Sequence, residues 1–225
     1  MRQLALDLIA RAEPSLDNFV EGPNRELLSV LRAVAAGPHL PPRVHLWGEP
    51  GCGKTHLLRA LAAKPLGPAS APQEFASGTG DAVVAVDDCE LLDDTQQIAL
   101  FALFNRAAAD PTIRIVTASR QAPLGLTDLR PELRTRLGSG LVIAVQPLSD
   151  EDKERALRDA AQASGVQCSD DLYRYLLTRK SRDLRSLLAW FAALDRFSLE
   201  RKRPLSAALA REFDSLGESA AVGQQ

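Results

Sequence analysis

The segment Gly48-Glu49-Pro50-Gly51-Cys52-Gly53-Lys54-Thr55 restricts this chain more than any other feature. It fits the pattern G-x-x-x-x-G-K-[ST] throughout, and its surroundings suit it. The apolar run Val44-His45-Leu46-Trp47 before it reads as a short strand, and residues 54–63 after it read as a helix. A strand that turns through glycines into a helix aims free backbone N–H groups, and the positive end of the helix dipole, at one point. Gly51 and Gly53 let that backbone close on an anion without a Cβ clash. Lys54 then reaches the outer phosphates of a nucleotide, and the Thr55 hydroxyl faces a magnesium ion. The competing reading, a glycine-rich turn with a chance lysine, explains neither flanking element.

Downstream, Val83-Val84-Ala85-Val86-Asp87-Asp88 is an apolar strand that ends in two acids. A buried strand delivering a carboxylate to the edge of a parallel sheet suits a magnesium partner for the phosphates. Asp87 is the candidate metal ligand, acting through water, and Asp88 the candidate for orienting the attacking water. An acidic turn is the alternative, since Asp93 and Asp94 continue the acidity. Ser119 and Arg120 close a further strand, residues 113–118, where polar groups lie beside the terminal phosphate. Arg134 and Arg136 sit on a helix before the next strand; an arginine there can act on a neighbour's nucleotide, or be a solvated surface charge. Arg182 and Arg185 begin a later helix, where one could fold onto the phosphates or simply pair with Asp183. The basic cluster Arg196, Arg201, Lys202 and Arg203 reads as a solvated face.

Around these motifs, strands at 82–86, 113–118 and 141–145 alternate with helices at 23–36, 95–109 and 131–137. That alternation implies an α/β fold with a parallel sheet covered on both faces. Residues 64–80, rich in Pro, Gly, Ser and Ala, read as a loop. After Pro147 the strand signal ends. Ser149 followed by Asp152 resembles a capping box, and helices are expected near 150–163, 170–179, 182–199 and 205–214. The expected division is a tail at 1–12, an α/β unit at 13–147, a helical lid at 148–216 and a frayed end at 217–225.

Composition narrows the class further. A net charge of -2 argues against a generally basic nucleic-acid binder. The three cysteines form no CxxC pair, which suits a reducing cytoplasm, and the three histidines lack metal-site spacing. No apolar run is long enough to span a bilayer and no signal-peptide pattern is present, so a cytoplasmic protein without membrane attachment is expected.

In this order the motifs resemble the AAA+ domain of the DnaA family over nearly the whole chain. Leu16-Asp17-Asn18-Phe19-Val20 is similar to the family segment that closes over adenine, which implies base contacts for Phe19 and Val20. Gly53-Lys54-Thr55-His56-Leu57-Leu58 is similar to the family's phosphate loop, and Asp87-Asp88 to its paired acids. Leu133-Arg134-Thr135-Arg136-Leu137, with Gly140-Leu141, resembles the segment whose trans-acting arginine falls on Arg136. Ser181-Arg182-Asp183-Leu184 resembles that of the lid arginine, which falls on Arg182, or on Arg185 if the register follows clamp-loader proteins. Gln3-Leu4-Ala5-Leu6-Asp7-Leu8 looks like the peptide that docks bacterial proteins on the replication sliding clamp, through Gln3, Leu4, Leu6 and Leu8. A DnaA-like module with such a peptide resembles the family's Hda branch, as does Pro147-Leu148-Ser149-Asp150-Glu151-Asp152-Lys153. The chain ends soon after the lid, so no helix-turn-helix DNA-binding domain is expected. Two departures stand out: residues 64–81 are short for the helix and strand the family has there, and Ser119-Arg120 replaces Asp-Arg.

The resemblance implies a P-loop AAA+ sheet with a C-terminal helical lid and a negative regulator of replication initiation. It implies ADP or ATP with Mg2+ as cofactors, and the sliding clamp and ATP-bound DnaA as partners. DNA would be met only through the clamp, and self-assembly would depend on nucleotide state. Its hydrolytic effect would fall mainly on the nucleotide of DnaA, with a weak ATPase of its own. The alternatives are a self-sufficient AAA+ ATPase such as a helicase loader, and a short initiator-like DNA-binding protein.

Overall fold

The computed structural model describes the backbone of residues 13–37, 43–76, 83–179 and 183–222. Its first unit, residues 13–147, contains α1 (Arg25–Ala36), β1 (Arg43–Trp47), α2 (Lys54–Leu61), β2 (Val83–Val86), α3 (Asp94–Ala109), β3 (Arg114–Ser119), α4 (Pro131–Gly138) and β4 (Leu141–Ala144). The four strands are parallel, in the order β2-β3-β1-β4. Strands flanked on both sides by helices must be apolar on both faces, and the two cores divide by residue parity. Leu46, Ala85, Val116 and Ala118 pack against α1 and α2, while Val86 and Ile115 pack against α3 and α4.

Polar groups fix the ends of the helices. Asp93 caps α3 through the Gln96 N–H, and the Gln96 side chain returns the bond to the Asp93 N–H, a complete capping box. The acidity after Asp88 is therefore in part a helix-start signal. At the other end of a helix, the buried Arg114 guanidinium donates to the carbonyls of Val34 and Ala35, putting a cation on the negative end of α1.

Residues 64–76 are more ordered than the expected loop. Leu66 makes a one-residue parallel bridge to Val86, donating to the Ala85 carbonyl and accepting from the Asp87 N–H, both at 2.8 Å. A 3₁₀ turn, Pro72–Ala76, then drives Phe75 into the α3 side of the core.

The second unit, from residue 148, contains α5 (Asp150–Ala163), α6 (Asp170–Arg179), α7 (Leu184–Arg201) and α8 (Ala207–Val222). Ser149 caps α5 by accepting from the Asp152 N–H. Leu157, Leu172, Leu176, Phe191 and Leu209 form its core. Asp214 ties three helices together, accepting from the Tyr175 hydroxyl at 2.7 Å and the Trp190 indole at 3.1 Å. The last helix passes the expected end at 214 and runs through residues 217–222, expected to be frayed; that stretch holds one glycine and no proline, so nothing stops the helix. Two members of the basic cluster, Arg201 and Arg203, pair with Glu212 within this unit. Among the described residues no helix is long and apolar enough to cross a membrane.

Candidate nucleotide-binding site

The turn from β1 to α2 lies at the C-terminal edge of the sheet, between the ends of its neighbours β3 and β4. Its glycines are dictated by contact and conformation. A Cβ on Gly48 would stand 2.6 Å from the Val145 carbonyl oxygen. Gly53 has φ +105°, and a Cβ there would meet the Phe19 ring at 2.6 Å. Lys54, only 7% exposed, arches back over the turn and donates to the carbonyls of Gly48 (2.6 Å) and Glu49 (3.0 Å). Cys52 is buried under it, with its sulfur 3.8 Å from the ammonium.

Two oxygens meet beside the lysine. The Thr55 hydroxyl donates to Asp87 Oδ2 at 2.6 Å, joining the start of α2 to the end of β2. A hydroxyl and a carboxylate at the mouth of a phosphate-type loop are the hard, all-oxygen donors that Mg2+ shares with nucleotide phosphates, so the residues present fit that ion. The other Asp87 oxygen accepts from the Asp88 N–H. Asp88 adopts a left-handed conformation, φ +46°, which breaks the strand direction and opens the 3₁₀ turn Cys89–Leu91.

The N-terminal segment closes one side of the loop. Ser15 and Asn18 exchange hydrogen bonds between side chain and backbone, forming a tight turn. Phe19 lies over Gly53 and edge-on to His56, with ring centroids 5.5 Å apart; His56 Nε2 bonds the Ser15 carbonyl at 3.0 Å. Val20 is half-buried beside Phe19. The following helix is anchored by Asn24, 3% exposed, which donates to the Gln146 carbonyl and accepts from its N–H. Sequence reasoning missed this clamp, for nothing local links residues 24 and 146.

Ser119 is fully buried, and its hydroxyl is engaged inside the protein by His45 Nε2 (2.8 Å) and the Gln121 carbonyl (2.6 Å). His45 was overlooked as a site residue, although a histidine in an apolar strand and two hydroxyls spaced two apart in another were visible signals. Burial lowers the His45 pKa to about 4, so the imidazole is neutral at physiological pH. Arg120, next in sequence, pairs with Glu90.

Arg136 is half-buried on α4. Its guanidinium donates to Asn105 Oδ1 at 2.8 Å and lies 5.6 Å from the Phe101 ring centroid, so it contacts two α3 side chains. Arg134 lies half-buried two residues earlier on the same helix. In the helical unit Arg185 is exposed on the first turn of α7. Arg182 and the tail residues Gln3, Leu4, Leu6 and Leu8 lie outside the described residues.

Residues 150–213 match the family model described as the Hda lid domain. Over 230 residues the chain is 30% identical to an uncharacterised protein of Haemophilus influenzae, covering 96% of this chain and 99% of that one. The chain belongs with the Hda/DnaA-like AAA+ proteins. Its fold agrees: domain III of the Thermotoga maritima replication initiation protein DnaA superposes with a TM-score of 0.69 at 18% identity, covering 87% of this chain and 93% of that one. AMPPCP-bound DnaA from Aquifex aeolicus gives 0.65 at 20% identity, covering 80% of this chain and 64% of that one. The parallel sheet, phosphate-type loop and helical unit of this Hda/DnaA-like chain are thus the AAA+ arrangement.

Proposed function

We propose that this chain binds an adenine nucleotide with Mg2+ and, docked on the sliding clamp, promotes hydrolysis of ATP held by DnaA. The Hda lid match and the DnaA-like fold support a DnaA-related replication regulator; clamp docking and the hydrolytic effect are the finer reading. The observation that carries nucleotide binding is the 2.6 Å contact of Thr55 with Asp87 beside the buried Lys54, and the AMPPCP-bound relative supports an adenine nucleotide.

In this reading Lys54 exchanges its loop carbonyls for the outer phosphates, whose charge is a better partner. Backbone N–H groups of residues 51–55 supply the remaining donors. Thr55 and Asp87 would hold the ion, which would supply charge neutralisation for the phosphates, and Asp88 would orient the attacking water. Phe19 and Val20 cover the base, and Arg182 or Arg185 is the arginine that the resemblance assigns to the lid. Arg136, in contact with Asn105 and Phe101, is offered to the nucleotide of DnaA, where it stabilises charge on the transferring phosphoryl group. Gln3, Leu4, Leu6 and Leu8 serve as the clamp peptide: Leu4, Leu6 and Leu8 are alternate residues that share one face of an extended chain, and the Gln3 amide, with a donor and an acceptor, fixes the register.

Reconstitution tests this directly. DnaA loaded with radiolabelled ATP is mixed with clamp, DNA and this protein, and conversion to ADP is followed. Acceleration that needs both clamp and this protein is expected. Substantial ATP turnover by this protein alone would favour a self-sufficient ATPase, and a gel shift at physiological salt would favour direct DNA binding.

A further inference from the structure

The hydrogen bonds through Ser119 run in a direction fixed by their chemistry. The Gln121 carbonyl can only accept, so the Ser119 hydroxyl spends its single proton there. Ser119 Oγ then accepts from His45 Nε2–H. A neutral imidazole protonated at Nε2 has an acceptor at Nδ1, which meets the Thr117 hydroxyl at 2.8 Å. The parallel register makes this possible: His45 lies opposite Thr117 and Trp47 opposite Ser119, so the imidazole sits between the two hydroxyls on one face of the sheet. The Thr117 hydroxyl has a single proton, which serves Nδ1 at 2.8 Å, the shorter of its two contacts; the other is the Val44 carbonyl at 3.4 Å.

The same turn is held at its backbone. The Ser119 carbonyl accepts from the Gly48 N–H, the first residue of the phosphate-type loop, at 3.3 Å. The Arg120 N–H donates to Glu90, two residues beyond Asp88, at 3.1 Å. Loops from β1, β2 and β3 therefore converge on residues 119–121.

We infer that His45 and Ser119 are positioning residues for the nucleotide site, holding the turn after β3 against the mouth of the phosphate-type loop, and that the Ser119 hydroxyl does not read the terminal phosphate. The inference rests on the nucleotide-binding reading above. Its consequence is a pattern of selectivity. Removing a hydroxyl that reads the third phosphate harms ATP binding and spares ADP. Removing a bond that seats Gly48 harms both equally, because both nucleotides use that loop.

The test is calorimetric titration of the full-length chain with Mg-ADP and Mg-AMPPCP, in wild type, Ser119→Ala, His45→Phe and His45→Gln. Phenylalanine keeps the ring volume without either bond, while glutamine keeps one donor and one acceptor. Ser119→Ala and His45→Phe are expected to weaken both ligands by the same factor, about tenfold for one buried hydrogen bond. His45→Gln is expected to recover most of the loss. Amide exchange at Gly48, measured without nucleotide, should quicken in the first two variants. Loss confined to AMPPCP would overturn the inference, as would unchanged affinities or unchanged Gly48 exchange. If wild type bound neither ligand, the nucleotide reading itself would fail, and Gly48 exchange would still decide whether His45 and Ser119 hold the loop.

Discussion

Asn24→Ala tests how the segment from Phe19 into α1 is anchored. The Asn24 amide makes two reciprocal bonds to the backbone of Gln146, at 2.9 and 2.8 Å, from a side chain almost wholly buried. Alanine removes both partners and leaves an N–H and a carbonyl unpaired where β4 leaves the sheet. Each such group costs about 1–3 kcal/mol when buried, and both bonds are partly within reach of solvent, so a loss of about 2–3 kcal/mol is expected. For a unit of this size that lowers Tm by about 6–10 °C. Asn24→Asp should fall between, keeping the acceptor for the Gln146 N–H but setting a carboxylate against its carbonyl. The chain has two tryptophans, one per unit, so urea unfolding followed by fluorescence in a Trp190→Phe background reports Trp47 and hence the unit that contains Asn24. Arg32→Ala is the control, since its 3.9 Å pair with the exposed Asp17 is worth little. A loss under about 0.5 kcal/mol for Asn24→Ala would refute the anchor.

Lys54→Ala should abolish or greatly weaken ADP and ATP binding by calorimetry, because the side-chain cation bonded across the loop is lost. Arg136→Ala should remove stimulation of DnaA hydrolysis, an effect of about 10³-fold or more, with nucleotide binding unchanged; normal stimulation with Arg136→Ala and none with Arg134→Ala would move the finger by two residues. Gln3→Ala with Leu4→Ala should cost about tenfold in clamp affinity by surface plasmon resonance, and equal affinities would remove the clamp reading. The pH dependence follows His45: its folded pKa, about 4, lies below the unfolded value of 6.5, so the unfolded chain takes up the proton first as pH falls. Stability from this residue is whole above pH 6.5 and declines between 6.5 and 4, by about 3 kcal/mol in all; His45→Gln should flatten that part of the stability curve.

What could be read from sequence was local or periodic. The loop at 48–55 carries its mechanism in consecutive residues, and the strand before Asp87 announces burial by its run of valines. Helix starts were legible where capping residues stand three apart, as at Ser149 and Asp152. The pairings that needed strand order were hidden. His45 meets Thr117 and Ser119 only because β3, rather than β2, lies beside β1. Arg114 caps a helix some eighty residues earlier in the chain, and Asn105 meets Arg136 from another helix. Ser119 was read as facing a phosphate because it ends a strand at the functional edge. Which way its hydroxyl turns depended on a histidine two strand positions back on the neighbouring strand.

The single bridge at Leu66 bears on how this protein behaves in a crowded cell. β2 is an edge strand, and an edge with unpaired N–H and carbonyl groups invites another chain to add a strand. Leu66 occupies the outward Ala85 carbonyl and Asp87 N–H, the two groups nearest the acidic end of that edge. One residue thus does the protective task of a whole strand where a foreign strand would otherwise cover the carboxylates. Proline at position 66, which cannot donate to Ala85, would reopen that edge, and the damage would show as concentration-dependent aggregation before any loss of the fold.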